Sequence, residues 1–538
     1  MRFLRLLRKE LSGNAKGFWT LIVLAALSSA LILVALNYTM VTPGVNKLIF
    51  AGIFVILLAG FVILQYKILN KGWDTAEKIS DGFRKRLSSK ILSADLAALE
   101  KIGDREIYER LTQETAYISQ SAGFLIPSLQ TIILMFFVVI YLAIIFPIGM
   151  AVFTVLILVG FYYYRRESRT MIRLFERATK SEVRFYGFLN DILKGIKELK
   201  LFKNRKTEFL SDVKSTSSFL RKLKQKSLSE YADLSIYSQA FFFLVVGITV
   251  FIIPKFNPAS IPSIIKLVTT TFFVMGPVIG ILFIIPMIEK MDLSLEFLQS
   301  LEKKLDAISE KVETKDEKTL TGDFEKITVN GLTFDYNDPN NGEFKITPVN
   351  LEINKGEVVF FVGGNGSGKT TLLKVISSLY KKTGGNITLN NIAVNVENLD
   401  EYRNYFSAIF SDFHLFAKLY GFSNPNKHKI RELLEIMRIE NKTTFNNDSF
   451  SSLNLSTGQK KRLALVVSLL EDKPIMIFDE WAAEQDQHFR EYFYDNILAE
   501  LKLKGKTVLV VSHDERYFGI ADKVVKMDFG KVTEVKIN

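Results

Sequence analysis

The chain contains no cysteine among its 538 residues. Disulfides, thiolate catalysis and cysteine-ligated zinc or iron–sulfur centres are therefore excluded. Only four histidines are present, which argues against a histidine-rich metal site. Acidic and basic residues are scarce in a more telling way: none stands in the middle of any of the six long apolar runs described below. Ion- and proton-driven carriers bury such groups in their membrane segments because they are costly there and functional. Their absence favours another energy source. No internal repeat is visible.

Apolar sequence is what the chain has most of. Hydrophobic residues make up 48%, and 44 of the residues are Phe. Arg2, Arg5, Arg8, Lys9 and Lys16 precede an apolar run from Phe18 to Leu36. A cleaved signal peptide is the alternative reading, but the run is long for one and no small-x-small cleavage site follows. About 20 apolar residues cross a bilayer core, so the run reads as a retained span. Further runs lie at Leu48–Tyr66, Phe124–Phe146, Ile148–Tyr164, Ile236–Pro254 and Leu267–Ile288, the third and fourth joined through Pro147-Ile148-Gly149.

Six spans put both termini on one side. The short loops after spans one, three and five carry Lys47, no charge, and Lys255 with Lys266. The long loops, roughly 67–122 and 165–235, are full of Lys and Arg, as in Arg84-Lys85-Arg86 and Arg221-Lys222-Leu223-Lys224. Positive charge stays inside, so these loops and both termini are expected in the cytoplasm. The net charge of +12 then reflects basic loops beside a membrane rather than a nucleic-acid partner. Both loops are poor in Pro and Gly and show apolar residues at helical spacing: Ile79, Phe83, Leu87 and Ile91, then Phe185, Leu189, Ile192, Ile196 and Leu199. Spans two to five are expected to continue as helices into the cytoplasm and return. Gln65, Gln130 and Gln239 are the polar members of the spans, expected to face other helices. Gly276-Pro277 and Gly280 are expected to bend span six, for gating or simply for packing.

The expected division is a membrane domain over 1–305, an exposed charged linker over 306–322, and a soluble α/β domain over 323–538. Strands are expected at Ile327–Tyr336, Glu357–Val362, Pro474–Phe478 and Thr507–Val511.

The third of these strands runs into the chemistry of the second. Glu357–Val362 is followed by Gly363-Gly364-Asn365-Gly366-Ser367-Gly368-Lys369-Thr370 and then by the helical Thr371–Ile376. Strand, glycine-rich turn and helix is the order of a phosphate-binding loop. Glycines let backbone N–H groups point inward at phosphate oxygens, and the helix start adds its positive end. Lys369 would reach the β- and γ-phosphates, and the Thr370 hydroxyl would ligate Mg²⁺. Downstream, the apolar strand Pro474–Phe478 ends in Asp479-Glu480. Asp479 would hold Mg²⁺, and Glu480 would orient an attacking water. Asp486 follows, and the strand Val508–Val511 ends in Ser512-His513, where His513 is placed for the γ-phosphate.

With Leu455-Ser456-Thr457-Gly458-Gln459, these motifs make residues 323–538 resemble the nucleotide-binding domain of an ATP-binding cassette (ABC) protein. Gly363–Thr370 match Walker A. Leu455–Gln459 match the signature, with Thr457 in place of a glycine. Ile475–Glu480 match Walker B, Asp486 the D-loop aspartate and His513 the switch histidine. The resemblance implies that ATP, with Mg²⁺, lies between one copy's phosphate loop, including Thr371, and the Ser456, Thr457, Gly458, Gln459 and Asp486 of a second. One cassette per chain implies a homodimer. Tyr336 matches the aromatic that stacks on adenine, with Phe344 as its rival. Ser411 stands where the family has a Gln that contacts Mg²⁺, so its metal role is the open point.

Six spans ahead of one cassette resemble ABC exporters of the half-transporter type. Gly195–Leu201, Gly363–Thr370, Phe410–Phe416 and Phe478–Asp486, with its distinctive Trp481-Ala482-Ala483, narrow this to the cyclic peptide and siderophore exporter group. The implied function is ATP-driven export, from the cytoplasm across a bacterial inner membrane, of a cyclic or modified peptide or a siderophore. A lipid flippase of the same fold is the alternative. A nucleotide-gated regulator that transports nothing is the reading from a different class, disfavoured because Lys369 and Glu480 are intact. A soluble ATPase acting on nucleic acid fits the charge but not the spans.

Overall fold

The computed structural model describes residues 15–145, 147, 154, 170, 173–174, 177–256, 261–310, 320, 322–336 and 344–538. It divides into two compact units. Residues 1–88 and 107–302 form the first, and residues 89–106 and 303–538 the second.

The first unit is helical. Among its described residues, α1 (Ala15–Val41), α2 (Lys47–Leu92), α4 (Thr115–Ile145), α6 (Lys203–Gly247) and α7 (Ile261–Ala307) carry the apolar runs. Among the described residues, five helices are long and apolar enough to cross a membrane. The fourth expected span, 148–164, lies outside the described residues apart from 154. A spanning helix must satisfy its backbone internally, which is why these runs are unbroken helices. Two of the predicted extensions are seen among the described residues: α2 continues to Leu92, and the helix of span five begins at Lys203. Helix α7 runs through Gly276, Pro277 and Gly280 as one element. Ala26, Ala30 and Leu33 of α1 pack with Leu134, Val138 and Leu142 of α4 and Leu267 and Val274 of α7. A polar knot joins the same helices: Asn37, fully buried on α1, donates to the Thr270 hydroxyl at 3.2 Å. Of the three predicted glutamines, Gln130 is buried, whereas Gln239 is exposed and donates to Ser235.

The second unit is α/β. Strand β1 (Lys326–Asp335) pairs antiparallel with β2 (Lys345–Asn354) and β4 (Gly384–Leu389), and β5 (Ile392–Ala393) completes a four-stranded sheet. A six-stranded sheet has the order β12-β11-β3-β10-β9-β6. Its members are β3 (Val358–Val362), β6 (Phe406–Ile409), β9 (Ile475–Asp479), β10 (Thr507–Val511), β11 (Lys523–Asp528) and β12 (Lys531–Ile537). All neighbours are parallel except β11 and β12. The predicted strands fall within two residues of the observed ones.

Alternation explains the core. Val358, Phe360 and Val362 of β3, Met476 and Phe478 of β9 and Val508 and Val510 of β10 enter one apolar cluster. Val359 and Phe361, Ile475 and Ile477, and Leu509 and Val511 enter the other. A parallel sheet buried on both faces needs such continuous apolar strands.

Residues 89–106, which the sequence places with 1–305, group with this second unit. Asp95 caps α3 (Leu96–Ile102) by accepting from the Ala98 amide at 2.8 Å. Its other oxygen accepts from the Lys381 amide at 3.1 Å, and Ala97 is buried in the apolar cluster under β1.

Candidate functional site

Parallel strands deliver their carboxyl ends to one edge, and the crevice outside that edge is where such sheets bind ligands. Here β3 ends in Gly363–Gly368, β9 in Asp479-Glu480, β10 in Ser512-His513 and β6 in Phe410-Ser411. The adjacency of β3, β10, β9 and β6 thus brings together residues spread over 150 positions of sequence.

The glycine loop is shaped by steric necessity. Gly363 has φ +145°, and a Cβ there would stand 2.1 Å from the Met527 carbonyl oxygen. Gly368 has φ +99° and lies against the Phe344 ring. Only glycine fits either place. Helix α8 (Lys369–Ile376) starts from Gly368. The Lys369 ammonium, 5% exposed, donates to the carbonyl oxygens of Gly363 at 3.0 Å and Gly364 at 2.9 Å. Burial lowers its pKa, and Glu480 and Asp479 pull it back up.

Thr370 donates to both Asp479 oxygens, at 3.0 and 2.9 Å. Asp479 is 1% exposed, and burial pushes its carboxyl above the usual carboxylate range. The Thr370 hydroxyl and the Ser411 amide, 3.3 Å away, oppose that shift. Ser411 is therefore beside Asp479: its main-chain amide bonds the carboxylate, and its side chain bonds it as well. This hydroxyl and carboxylate set suits a hard, oxygen-seeking cation. Among the described residues no group of three or more His, Asp or Glu could hold a metal unaided.

Glu480 follows with φ +50° and ψ +33°, a left-handed conformation. Its Oε1 lies 3.4 Å from His513 Nε2. Both side chains are open to solvent, at 39% and 45% exposure, so a water can reach the carboxylate. A cavity of about 510 Å³ is lined by Tyr336, Phe344, Asn365, Gly366, Gly368, Lys369, Thr370, Thr371 and Glu480. Both aromatic rivals line it. The Tyr336 amide donates to the Phe344 carbonyl at 3.0 Å, so the two residues are held side by side through their main chains.

The remaining predicted residues are elsewhere. Ser456, Thr457, Gly458 and Gln459 form the start of α9 (Thr457–Glu471), where Ser456 and Gln459 make a reciprocal capping box. Asp486 caps α10 (Gln487–Tyr492) by accepting from the Phe489 amide at 2.9 Å and pairs with Arg462 at 2.5 Å. The Phe489 amide and Arg462 hold its carboxyl below the usual range. None of these five lines the cavity of its own chain.

Three residues escaped the sequence reading. The Tyr380 hydroxyl donates to Glu100 of α3 at 2.8 Å and lies 3.0 Å from the Tyr336 hydroxyl. Lys374, 8% exposed, pairs with Asp412 at 3.1 Å and approaches Glu100 at 3.7 Å. Burial and hydrogen bonding to Tyr336 and Glu100 raise the Tyr380 pKa. The available signal was a lysine on the buried face of α8.

Comparison with known proteins agrees with this geometry. Residues 18–278 match the ABC transporter transmembrane region and residues 346–483 the ABC transporter domain. The ATP-binding protein SyrD of Pseudomonas syringae pv. syringae is 30% identical over 85% of this chain and 83% of its own length. The chain belongs to the ABC transporter family. This ABC transporter is also 27% identical to the subtilin transport ATP-binding protein SpaT of Bacillus subtilis, over 43% of this chain and 41% of that one. An ATP-dependent lipid A-core flippase of Francisella tularensis subsp. tularensis is 29% identical over 39% of this chain and 35% of its own. A solved bacterial Atm1-family ABC exporter with ATP bound has the same fold, with a TM-score of 0.78, 16% identity and coverage of 98% of this chain and 95% of that one. The ABC transporter is thus a multi-pass, exporter-type half-transporter that couples ATP hydrolysis to transport.

Proposed function

We propose that this ABC transporter works as a homodimer in a bacterial inner membrane, its nucleotide-binding domain in the cytoplasm, and exports a cyclic or otherwise modified peptide or a siderophore. The observation that carries the hydrolytic part is the convergence of Lys369, Thr370 and Glu480 on one cavity, with Asp479 bonded to Thr370 and His513 beside Glu480. In this reading Tyr336 packs on adenine, and the amides of Gly363 to Thr371 cradle the phosphates. Lys369 exchanges loop carbonyls for phosphate oxygens. Thr370 and Asp479 hold Mg²⁺, with Ser411 beside them. Bound there, Mg²⁺ supplies charge that offsets the negative charge developing on the phosphates. The Glu480 carboxylate accepts a hydrogen bond from the attacking water and orients it, and His513 contacts the γ-phosphate and steadies Glu480.

The dimer is supported by what the single chain leaves apart. Ser456, Thr457, Gly458, Gln459 and Asp486 do not line their own cavity, so their proposed nucleotide contacts require a second copy. ATP would close two cassettes, and hydrolysis would release them, giving alternating access. Residues 89–106 continue directly from α2 and pack on the nucleotide-binding unit, which supplies a covalent route to the membrane helices.

Glu480→Gln is expected to bind ATP and fail to hydrolyse it. Full turnover would refute the assignment. Export is tested by uptake of candidate cargo into inverted vesicles with and without ATP. The similarity to a lipid A-core flippase favours one second reading, movement of a lipid-linked substrate. ATPase stimulation by lipids and not by peptides would select it.

A further inference from the structure

Lys461 and Trp481 stand outside every motif read as a nucleotide contact, yet both are buried. Trp481 is 1% exposed and stacks on Phe493 with ring centroids 4.5 Å apart. Lys461, 3% exposed, sits in the first turns of α9 just beyond Ser456–Gln459. A buried ammonium needs partners, because its desolvation is otherwise uncompensated. Its Nζ donates to the main-chain carbonyl of Glu480 at 2.8 Å, with a Glu484 oxygen 3.7 Å away. The Trp481 indole N–H donates to the main-chain carbonyl of Lys461 at 2.8 Å. Each segment therefore sends a side chain to the backbone of the other.

The anchored residue is the strained one. A left-handed conformation at a non-glycine residue persists only when its surroundings hold it. Strand β9 ends at Asp479; beyond it the Glu480 amide donates to the Val511 carbonyl at 3.2 Å, and the Glu480 carbonyl accepts from the Ala483 amide at 3.3 Å as well as from Lys461. A second set of ties joins the same two segments. Gln485 Nε2 donates to the Gly458 carbonyl at 3.1 Å, and Arg462 Nε donates to Gln485 Oε1 at 2.9 Å.

We propose that Lys461 and Trp481 are positioning residues for ATP hydrolysis: they clamp the backbone of Glu480 to the signature helix, so that its carboxylate keeps its aim and moves with Ser456–Gln459. This rests on the reading of Glu480 as the residue that orients water. The clamp acts through a peptide group and touches neither nucleotide nor water. Loosening it lowers kcat and leaves the KM for ATP unchanged.

The test is steady-state ATPase kinetics of the full-length protein in lipid nanodiscs, with thermal unfolding measured alongside. Trp481→Phe keeps the ring stack and removes the indole donor. Lys461→Met keeps the aliphatic stem and removes the ammonium. The expected loss in kcat is about tenfold for K461M and about threefold to tenfold for W481F, at unchanged KM. Because the two bonds tie the same two segments, the double variant loses less than the product of the single losses. Wild-type kcat in both single variants overturns the clamp, as does a loss carried entirely by KM or one matched by loss of folded protein. Should either variant fail to fold, fluorescence carries the test. The chain has three tryptophans, so W19F/W73F leaves Trp481 as the sole emitter. ATP is expected to shift its emission, and an unshifted spectrum with ATP bound overturns the proposal. Glu480→Gln separates the two readings. If it turns over fully, the reading of Glu480 fails and the clamp with it. If it is inactive while W481F and K461M are fully active, the clamp alone fails.

Discussion

Removing one oxygen, in Tyr380→Phe, tests how the loop helix α3 is held. Tyr380 is 3% exposed, so phenylalanine fills the same space. What is lost is the 2.8 Å hydrogen bond to Glu100, together with the 3.0 Å contact to Tyr336 and the 3.4 Å bond from Lys374, while the 3.3 Å bond from Tyr336 to Glu100 remains. Hydrogen bonds to charged groups contribute about 1.5 to 3 kcal/mol. The Glu100 side chain is 39% exposed, which screens the interaction and places it at the low end. A loss of about 1.5 kcal/mol corresponds to roughly a tenfold rise in the open population of a docked segment. Asp95 still anchors the start of α3 through the Lys381 amide, so the change is confined to the helix and does not release the loop. The assay is native-state hydrogen exchange. The amides of residues 99–102 in the full-length protein are expected to exchange about tenfold faster in Y380F, with those of β9 and β10 unchanged. Unchanged protection over α3 would refute the docking role of this bond. Faster exchange throughout the unit would refute its local character.

Asp479→Asn removes a buried carboxylate and is expected to raise the unfolding temperature of the nucleotide-free protein while abolishing Mg²⁺-dependent hydrolysis. The sign with pH follows from the raised native pKa: the folded state binds the proton first, so wild-type stability gains on that of D479N as pH falls towards the ordinary carboxylate range, and a gap that widens with rising acidity in favour of D479N would contradict it. Gly363→Ala puts a methyl 2.1 Å from the Met527 carbonyl oxygen, so ATP binding by equilibrium dialysis is expected to be lost with the protein still folded. Trp481→Ala empties a stacked core site and is expected to cost about 3 to 5 kcal/mol in chemical denaturation. Ser411→Gln keeps the main-chain amide that meets Asp479 at 3.3 Å and replaces only the side-chain bond, so ATP binding is expected to stay intact, and a loss of binding would show that the serine hydroxyl itself matters.

Local pattern determined a large part of this molecule. A run of about 20 apolar residues has few ways to satisfy its backbone in lipid, so the described spans are helices where hydropathy puts them. The phosphate loop was equally legible, because glycine spacing, a following lysine and flanking strand and helix are all contiguous. Asp479 and Glu480 were readable for the same reason, sitting together at the end of one apolar strand. The tertiary structure alone decided which strand lies beside which, and hence that Thr370 meets Asp479. It also decided that Tyr380 meets Glu100 across 280 residues and that Lys461 holds Glu480 across 19. Such pairs leave no local trace, because a buried polar group is satisfied by whatever partner the fold brings, at any sequence distance. The four signature residues and Asp486 mark the other limit. Their types were recognisable in the sequence, and the folded chain places them outside the lining of its own cavity.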